Sequence, residues 1–291
     1  VDSGSVSKYT LANIPNLAPT VNTPAQTSLN VLPNDTQPGN NPAATEYAVA
    51  CNAGGTSWLN GSTNLCEAYA EASIPDTANF WKTIAVWGTK TVGGLTCGTS
   101  YSFESKARNG DKTGTSKSAS GTASTSTCSI SISGTSTARA GTVKVAVNGS
   151  VPTQTAGTIS GTDGTWSVTN VTQPTAGQAV VAWIDGAAEA DESTAVTKYV
   201  AGNVAGMALD PQILTIGSND NQSLIASDVG TYTSDEDVMV TWASSTLDVK
   251  QAYTAPAIFI KNSNTLTIGT TETLTAHKVG NGGTLVGTGN T

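Results

Sequence analysis

The stretch "LTCGTSYSFESKAR", residues 95–108, is the part of the chain that best indicates its fold. From Tyr101 onward, the apolar residues Tyr101, Phe103 and Ala107 alternate with polar and charged ones. This two-residue period is that of a β-strand with one face on a core and the other in solvent. The Cys-Gly step before it is typical of a tight turn. Three charged residues are expected on the solvated face: Glu104, Lys106 and Arg108.

Composition predicts the same class of structure for the whole chain. Of 291 residues, 37% are hydrophobic and 12% are charged, both below the average for globular proteins. Abundant Ser, Thr and Gly favour strands joined by turns, and no window shows a sustained helical period of apolar residues. The sequence therefore predicts an all-β protein, built from tandem immunoglobulin-like or fibronectin-like β-sandwich modules in an elongated chain.

Charge and hydropathy exclude two kinds of partner. The net charge is −8, whereas nucleic acids and anionic membranes are bound by clustered Lys and Arg. No apolar run approaches the roughly 18 residues that a membrane-spanning helix needs. The chain opens on a polar segment, which predicts a mature protein whose leader has been removed. We expect no nucleic-acid partner and no membrane span.

The corner motif resembles a known family. Leu95, then Cys97-Gly98, then Tyr101, is similar to the Leu-x-Pro-Gly-x-x-Tyr turn and following strand of a fibronectin type III domain. The resemblance covers about residues 17–125. It implies that the Tyr101 hydroxyl bonds back to the turn backbone, so that Leu95, Gly98 and Tyr101 have structural roles. Cys97 replaces the usual proline. The usual tryptophan of the second strand is also missing, and we expect Trp81 or Trp87 to fill its volume.

The four cysteines allow three pairings. No CxxC motif is present, which disfavours zinc, and a secreted protein with two disulfides fits better than four free thiols in a reducing compartment. We predict Cys51–Cys66, which closes a short loop after the strand that ends at Cys51. We also predict Cys97–Cys128, which ties the tyrosine corner to the end of its module.

A second module follows a Ser/Thr/Gly-rich linker. Val143 and Val145 share one face of a predicted strand, a Asp163-Gly164 turn precedes another, and "AVVAWIDG" (179–186) is apolar on both faces, which predicts a central strand. This order resembles the small transthyretin-like or collagen-adhesin-B-like sandwiches of bacterial surface proteins.

The C-terminal block contains a partial repeat. "ILTIGS" (213–218) recurs as "TLTIGT" (265–270), which indicates stacked, equivalent strands, but two copies do not establish a solenoid. We predict a third small β module. We therefore predict four segments along the chain: an N-terminal extension at 1–14, a fibronectin type III-like domain at 15–126, an immunoglobulin-like or transthyretin-like sandwich at 127–205, and a C-terminal β module at 206–291.

No catalytic residue is predicted. A Ser-His-Asp triad would need His277, the single histidine, and its alternation with Leu274 and Ala276 indicates a surface position on a strand. No GxSxG motif occurs. The acidic residues cluster in turn-like segments, where solvated loop charge is the ordinary explanation. We expect a protein that is not an enzyme.

No cofactor is predicted, and calcium is the one metal to weigh. Ca²⁺ takes six to eight oxygen ligands, and two acidic loops supply such atoms without the spacing of an EF-hand. The weak candidates are four residues: Asp220, Asp228, Asp235 and Asp237.

These patterns predict a secreted, extracellular structural protein at the cell surface, a self-assembling subunit of a filament or surface layer. The alternative is an adhesin or a carbohydrate-binding accessory piece of a larger secreted protein, and a virus-particle protein is a third option. Flat aromatic side chains stack on sugars. An exposed row of tryptophans would therefore favour carbohydrate or another surface ligand as partner, and the candidates are Trp58, Trp81 and Trp87.

Residues 1–14 are a hypothetical donor strand for head-to-tail assembly. They precede the first recognisable strand and carry a weak apolar set: Val6, Tyr9, Leu11 and Ile14. Such a segment can add to an unpaired sheet edge of a neighbouring subunit, with backbone hydrogen bonds giving affinity. A disordered tail is the alternative.

Overall fold

A computed structural model of the chain describes these residues: 10–52, 56–220, 222–250, 257–276 and 278–287. The chain separates into two compact units, unit 1 at residues 1–128 and unit 2 at residues 129–291. The boundary lies two residues from the one expected after residue 126. Apart from two single-turn helices and one 3-10 turn, every regular element among the described residues is a strand, so the all-β prediction is confirmed.

Unit 1 is built from short strands: β1 (Thr20–Asn22), β2 (Leu29–Leu32), β3 (Glu46–Cys51), β4 (Ser57–Asn60), β5 (Leu65–Ala68), β6 (Lys90–Val92), β7 (Ser100–Arg108), β8 (Gly114–Lys117) and β9 (Gly121–Ser124). A 3-10 turn at Glu71–Ser73 and the helix α1 (Ile84–Trp87) lie between β5 and β6. Glycine, proline and asparagine interrupt the alternating segments, which keeps the strands short.

The strands of unit 1 form two antiparallel sheets around one core. One sheet has the order β1-β2-β6, and the other has the order β5-β4-β3-β7-β8, with β9 also paired to β7. Buried residues from both sheets meet in one cluster, among them Leu29 and Val31 from β2, Val49 from β3 and Phe103 from β7. Trp87 lies in this cluster at 1% exposure. Of the two tryptophans expected to fill core volume, Trp87 lies in this cluster and Trp81 does not.

The outer face of the larger sheet is also covered. Trp58, Ala48 and Ala50 pack there against Phe80 and Trp81 from the long connection between β5 and β6. Because both faces of β3 are covered, five of its six residues are buried.

Unit 2 is likewise made of strands: β10 (Ser129–Thr135), β11 (Thr142–Val147), β12 (Gly157–Thr158), β13 (Thr165–Thr172), β14 (Ala179–Asp185), β15 (Thr194–Lys198), β16 (Val204–Ala208), β17 (Ile213–Ile216), β18 (Ser223–Ile225), β19 (Val240–Ala243), β20 (Thr246–Val249), β21 (Ala257–Ile260), β22 (Thr265–Ile268), β23 (Thr273–Thr275), β24 (Lys278–Asn281) and β25 (Thr284–Gly287). The one-turn helix α2 (Ala226–Val229) follows β18.

The first half of unit 2 is a sandwich. One sheet has the order β13-β10-β16, and it packs against β12, β11, β14 and β15 of a seven-stranded sheet. Ile132, Trp166 and Met207 of the small sheet meet Val145 and Ala182 of the large one in a buried cluster. The period-two pattern of the valines in β11 thus faces this core, as the sequence predicts.

The second half of unit 2 is a coil of stacked parallel strands. β17, β21 and β24 pair in parallel, as do β18, β22 and β25, and β20 pairs in parallel with β23. Successive turns of the chain thus lie above one another in three sheets, which is the arrangement of a parallel β-helix. We call this region, residues 213–287, the coil. Sandwich modules are antiparallel, so the coil departs from the tandem sandwich modules predicted for the chain as a whole.

The large sheet joins the two halves of unit 2. Its order is β12-β11-β14-β15-β17-β21-β24, and the step from β15 to β17 is parallel. The boundary expected at residue 206 falls inside β16, a strand of the small sheet that lies in the chain between the paired strands β15 and β17. β14 is buried on both faces, with Val180 and Ala182 in the sandwich core and Val181 and Trp183 in the coil core. The central strand predicted from residues 179–186 is confirmed.

The repeated LTIG segments are not structurally equivalent. The first copy forms β17 of the seven-stranded sheet, whereas the second forms β22 of the sheet β18-β22-β25. Stacking is real, but it aligns Leu214 with Ile258 and Leu224 with Leu266. What repeats from turn to turn is a position whose aliphatic side chain faces the coil core. Different aliphatic residues occupy this position, so the repeat is not visible as an identical sequence.

Candidate functional site

The tyrosine corner has the hydrogen bond that the resemblance implies. The Tyr101 hydroxyl accepts a hydrogen bond from the Thr96 backbone N–H at 2.8 Å. Gly98 has φ of +63°, a left-handed conformation that strains residues with a Cβ. Leu95 is buried at the edge of the core of unit 1. These contacts give Leu95, Gly98 and Tyr101 a structural role, which is to brace the turn.

The structure contains both predicted disulfides, Cys51–Cys66 and Cys97–Cys128. The first joins β3 to β5 across β4. The second joins the corner to the last residue of unit 1, where the Gly98 N–H also donates to the Ser126 carbonyl at 2.8 Å. The corner and the end of unit 1 are thus held together both covalently and by backbone hydrogen bonding.

The charged face of β7 is not solvated, contrary to the expectation from its alternation. The connection between β5 and β6 covers it and supplies carboxylates: Lys106 Nζ lies 2.6 Å from Glu71, and an Arg108 nitrogen lies 2.7 Å from Asp76. Arg108 also contacts Glu46 at 2.7 Å. The alternation correctly predicts which residues share this face of β7. Whether water reaches the face depends on the connection between β5 and β6, which lies far from β7 in the sequence.

Arg108 is the most enclosed charge of this group. Its side chain is 7% exposed, and its guanidinium lies 4.3 Å from the centre of the Trp81 ring. Two carboxylates and an aromatic face therefore satisfy a planar cation that cannot lose its proton. Hydrogen bonds from Lys112 and Arg108 lower the pKa of Asp76, which keeps this carboxyl ionised and unsuited to general acid catalysis.

A cleft of about 640 Å³ lies beside this ion-pair group in unit 1. Its walls come from Thr83 and four segments: Thr10–Ala12, Pro42–Glu46, Asp76–Ala78 and Arg108–Lys112, with gaps at residues 43 and 111. The charges on the walls are paired with one another, since Glu46 and Asp76 both contact Arg108. The cleft offers hydrogen-bonding groups and volume, but its ionised groups already have partners.

The tryptophans that would mark a sugar-binding surface are buried. Trp58, Trp81 and Trp87 are 0%, 6% and 1% exposed. Trp87 also donates its indole N–H to the Tyr47 carbonyl at 2.8 Å. None of the three presents a ring face to solvent, so the exposed aromatic row that would favour carbohydrate binding is not formed by them.

The N-terminal arm, residues 10–16, lies on unit 1 itself. The Asn13 backbone N–H donates to the Asn41 side chain at 2.8 Å, and the Asn40 side chain donates to the Ile14 carbonyl at 2.9 Å. The Asn109 side chain donates to the Thr10 carbonyl at 3.0 Å. Of the four donor-strand candidates, Leu11 is 72% exposed and Ile14 is 50% exposed. The other two, Val6 and Tyr9, lie outside the described residues.

Asp35 organises the groups that hold the arm. Its carboxylate accepts hydrogen bonds from the Tyr47 hydroxyl at 2.6 Å and from the side chains of Asn41 at 2.6 Å and Asn40 at 2.8 Å. Burial acts to raise the pKa of Asp35, but these hydrogen bonds outweigh it and the pKa lies below its ordinary value. Burial and the bond to Asp35 raise the pKa of Tyr47. The donors are therefore arranged around an ionised carboxylate.

The weak calcium candidates divide into two groups. Asp235 and Asp237 lie with Asp185, and the carboxylate oxygens of the three are all within 4.8 Å of one another. Asp228 is instead paired with Lys198 at 2.7 Å, and Asp220 is not part of the cluster. No sequence pattern pointed to Asp185, the last residue of β14, although it directly follows the apolar residues of that strand. Three carboxylates are fewer ligands than Ca²⁺ takes, so the cluster alone does not make a calcium site.

Within this acidic cluster, burial is the largest influence on the pKa of Asp237. It raises the pKa of Asp237, a shift that the Gly186 N–H opposes at 2.6 Å and that the neighbouring Asp235 and Asp185 reinforce. Lys144 lies 2.9 Å from Asp185, and this hydrogen bond raises the pKa of the lysine. Lys144 pairs directly with Asp185, and the charge of Asp235 also raises the pKa of the lysine.

His277 lies outside the described residues, so the structure says nothing of its surroundings. None of the helices in the described ranges is long and apolar enough to cross a bilayer. Comparison with models of known protein families gives no match. No curated protein matches the sequence either.

Proposed function

We propose that the chain is a non-enzymatic structural component of an extracellular surface, a subunit that associates with copies of itself in a filament or layer. The observation that carries this proposal is the seven-stranded sheet of unit 2, which runs from the sandwich into the coil without a break in backbone pairing. Its central strand β14 is buried on both faces. The sandwich and the coil share this strand, so neither can unfold without disrupting the other. This coupling suits a structural protein that must resist unfolding.

The disulfides support an extracellular location for this subunit. All four cysteines of the chain are paired. Disulfides persist in oxidising compartments and are rare where thioredoxin and glutathione keep thiols reduced. Secretion to the cell surface is the location that fits both bonds.

Unit 1 and the sandwich of unit 2 are each assigned to a type of module in this proposal. Unit 1 is a fibronectin type III-like domain: its three-stranded and larger sheets enclose one core, and the Tyr101 bond braces its corner. Residues 129–208 are a transthyretin-like or collagen-adhesin-B-like sandwich, supported by the Val-rich β11 and the Asp-Gly turn before β13. Modules that resemble these serve as spacers in surface proteins.

Electron microscopy of the purified protein, together with sedimentation over a wide range of concentration, tests the proposal. We expect filaments or sheets, and species larger than one chain whose share grows with concentration. A protein that stays a single chain at every concentration, with isolated particles in micrographs, contradicts self-assembly and favours the adhesin alternative.

Two truncations test the donor-strand route to head-to-tail assembly. Leu11 and Ile14 belong to an arm that is hydrogen-bonded to its own unit, so donation of residues 1–14 requires those bonds to break. Deletion of residues 1–9 leaves the arm in place, whereas deletion of residues 1–14 removes most of it. If both truncated proteins assemble like the intact chain, the donor strand is excluded. If only the longer deletion abolishes assembly, the donor is the arm.

A further inference from the structure

The acidic cluster of unit 2 lies where two separate segments of the chain meet. Asp185 is the last residue of β14, and Asp235 and Asp237 belong to the connection between α2 and β19. The carboxylate oxygens of the three residues lie within 4.8 Å of one another. They line a cleft of about 440 Å³ together with three neighbours: Gly186, Ser234 and Glu236. Oxygen atoms from both segments thus converge on one cleft.

The cluster carries more negative charge than its neighbours neutralise. Lys144 contacts Asp185 at 2.9 Å, whereas no described lysine or arginine contacts the carboxylate of Asp235 or Asp237. Three carboxylates and one ammonium leave two negative charges without a counterpart. Asp237 is only 7% exposed, and among the described residues its carboxylate accepts one hydrogen bond, from the Gly186 N–H. Like charges this close, one of them buried, repel each other unless a cation joins them.

A buried hydroxyl lies beside the same group without a partner. Tyr232 is 9% exposed, and no residue in the described ranges forms a hydrogen bond with its hydroxyl. Its ring stacks on Trp183, which precedes Asp185 by two residues on the same face of β14. Burial raises the pKa of Tyr232, and the charge of Asp235 raises it further, so the hydroxyl faces the cluster. A buried polar group without a protein partner indicates a bound water or ion.

We propose that the carboxylates of Asp185, Asp235 and Asp237 bind a Ca²⁺ ion in this cleft. Each carboxylate can supply one or two oxygens of the six to eight that Ca²⁺ takes. The remaining positions fall to water, which the hydroxyls of Tyr232 and Ser234 hold at the cleft. The ion neutralises the two negative charges that Lys144 leaves. This site is independent of the proposed self-assembly.

The spacing of the carboxylates favours Ca²⁺ over Mg²⁺. Ca–O distances reach about 2.6 Å, so two oxygens on the same ion can lie about 5.2 Å apart. Mg²⁺ holds its ligands at about 2.1 Å in a near-ideal octahedron, which limits their separation to about 4.2 Å. Oxygens up to 4.8 Å apart therefore suit the larger ion. We expect a dissociation constant of about 10⁻⁴–10⁻³ M, the range of Ca²⁺ sites in extracellular modules.

Lys144 is compatible with a bound ion. Its Nζ contacts one carboxylate oxygen of Asp185, Oδ2, so the other oxygen remains for the ion. The lysine side chain is 40% exposed, which also lets it move into solvent when the ion binds.

Titration calorimetry with Ca²⁺ and luminescence of Tb³⁺, both on protein freed of metal by a chelator, test the site. Tb³⁺ occupies calcium sites and emits light when a nearby indole or phenol is excited, and Trp183 and Tyr232 lie beside the cluster. We expect Tb³⁺ emission that Ca²⁺ abolishes and that Mg²⁺ abolishes only at higher concentration. The matched variants are Asp235→Asn, within the cluster, and Asp191→Asn, an exposed residue whose substitution removes the same single charge.

We expect Asp235→Asn to weaken Ca²⁺ binding at least about tenfold, since changes to groups that only surround metal ligands already cost about 10–100-fold. Asp191→Asn should bind like the intact chain. Thermal midpoints measured in chelator establish that each protein is folded. An intact chain that binds no Ca²⁺ at millimolar concentration overturns the proposal. Equal binding by all three proteins also overturns it, because the ion is then bound elsewhere. Equal weakening in both variants does the same, because binding then follows net charge alone.

Discussion

Unit 1 and unit 2 hold the same kind of strand together by different means. Unit 1 contains all four cysteines, as two disulfides, and braces the outer face of its larger sheet with buried ion pairs around Arg108. Unit 2 contains no cysteine. It instead buries two extensive aliphatic clusters, one on each face of β14.

The difference follows from how much apolar surface each unit can remove from water. The clusters of unit 1 are smaller and depend on aromatic side chains such as Trp87 and Phe103. A small core leaves little margin over the entropy of folding, and covalent cross-links make up such a deficit. The stacked coil of unit 2 extends one core along successive turns, so it needs no such link.

The largest loss of stability is expected from a substitution on β14, the strand of unit 2 that contributes to both of its cores. Trp183 is fully buried on the coil face of β14 and stacks on Tyr232 with ring centres 5.0 Å apart. We expect Trp183→Ala to lower the stability of unit 2 by about 3–5 kcal/mol, because it leaves a cavity in the core. Hydrogen exchange measured by mass spectrometry should show faster exchange in the peptides of unit 2 alone. Equal loss of protection in unit 1 would contradict the division into units.

Removal of a disulfide tests the other half of the comparison. Cys51→Ala together with Cys66→Ala opens a loop with a sequence separation of 15. We expect a loss of roughly 3 kcal/mol, because the unfolded chain regains the entropy of that loop. Denaturant melts, with hydrogen exchange to locate the change, should place the loss in unit 1. An unchanged midpoint would show that the disulfides are dispensable and that the core of unit 1 suffices.

The ion-pair network of unit 1 should matter where it is buried. Arg108 and Lys112 both contact Asp76, but their side chains are 7% and 61% exposed. We expect Arg108→Leu to lower the free energy of unfolding by about 1.5–3 kcal/mol, because it removes hydrogen bonds to charged groups that are shielded from water. Lys112→Leu is the control and should cost less than about 1 kcal/mol, since exposed pairs contribute little. Equal effects in denaturant melts would show that burial of Arg108 does not strengthen its contacts.

A smaller effect is expected at the corner of unit 1. Tyr101→Phe removes the hydroxyl that accepts the Thr96 N–H and leaves the ring in place. The expected loss is about 0.5–1.5 kcal/mol. Melts of the whole protein measure it through the transition assigned to unit 1. An unchanged transition would mean that the corner does not contribute to stability and would weaken the family resemblance.

The smallest effect concerns the acidic cluster of unit 2, and it should be a gain. The pKa of Asp237 is raised in the folded state, so its ionisation disfavours folding at pH values above the folded pKa. Asp237→Asn should therefore raise the unfolding midpoint of unit 2 at neutral pH. The gain should shrink as pH falls through the folded pKa and vanish below the ordinary value of 3.8, where both states are protonated.

Asp191→Asn is the control for net charge. Asp191 is exposed, and its substitution removes the same single negative charge from the chain. It should leave the midpoint nearly unchanged across the same pH range. If the two variants behave alike, the gain reflects the total charge of the chain and is not specific to the cluster.

Local features of the sequence were good guides to local features of the structure. Alternation identified β7 and β11, and an apolar run on both faces identified β14 as central. The corner bond of Tyr101 and the two disulfides also appear where the sequence placed them. Each of these depends on side-chain period, turn chemistry or a short loop, all of which lie within a few residues or one module.

The candidate sites were less accessible to such reasoning. The sequence pointed to Asp235 and Asp237 but not to Asp185, which reaches them from β14. It predicted residues 1–14 to be a donor strand for another subunit or a disordered tail, whereas asparagines at 40, 41 and 109 hold the arm on unit 1 itself. The missing information is which distant segments meet, and no local pattern carries it.

The sequence by itself determined that the chain is all-β and which residues share a face of each strand, and it favoured the cysteine pairing that the structure has. A period of two, turn-forming residues and loop lengths suffice for this, because they act on near neighbours. Only the tertiary structure decided that the last strands stack in parallel, that one sheet serves two cores, and that Arg108 is covered. Parallel pairing joins strands through long connections, so an aliphatic strand such as β17 carries the same pattern in a sandwich or in a coil.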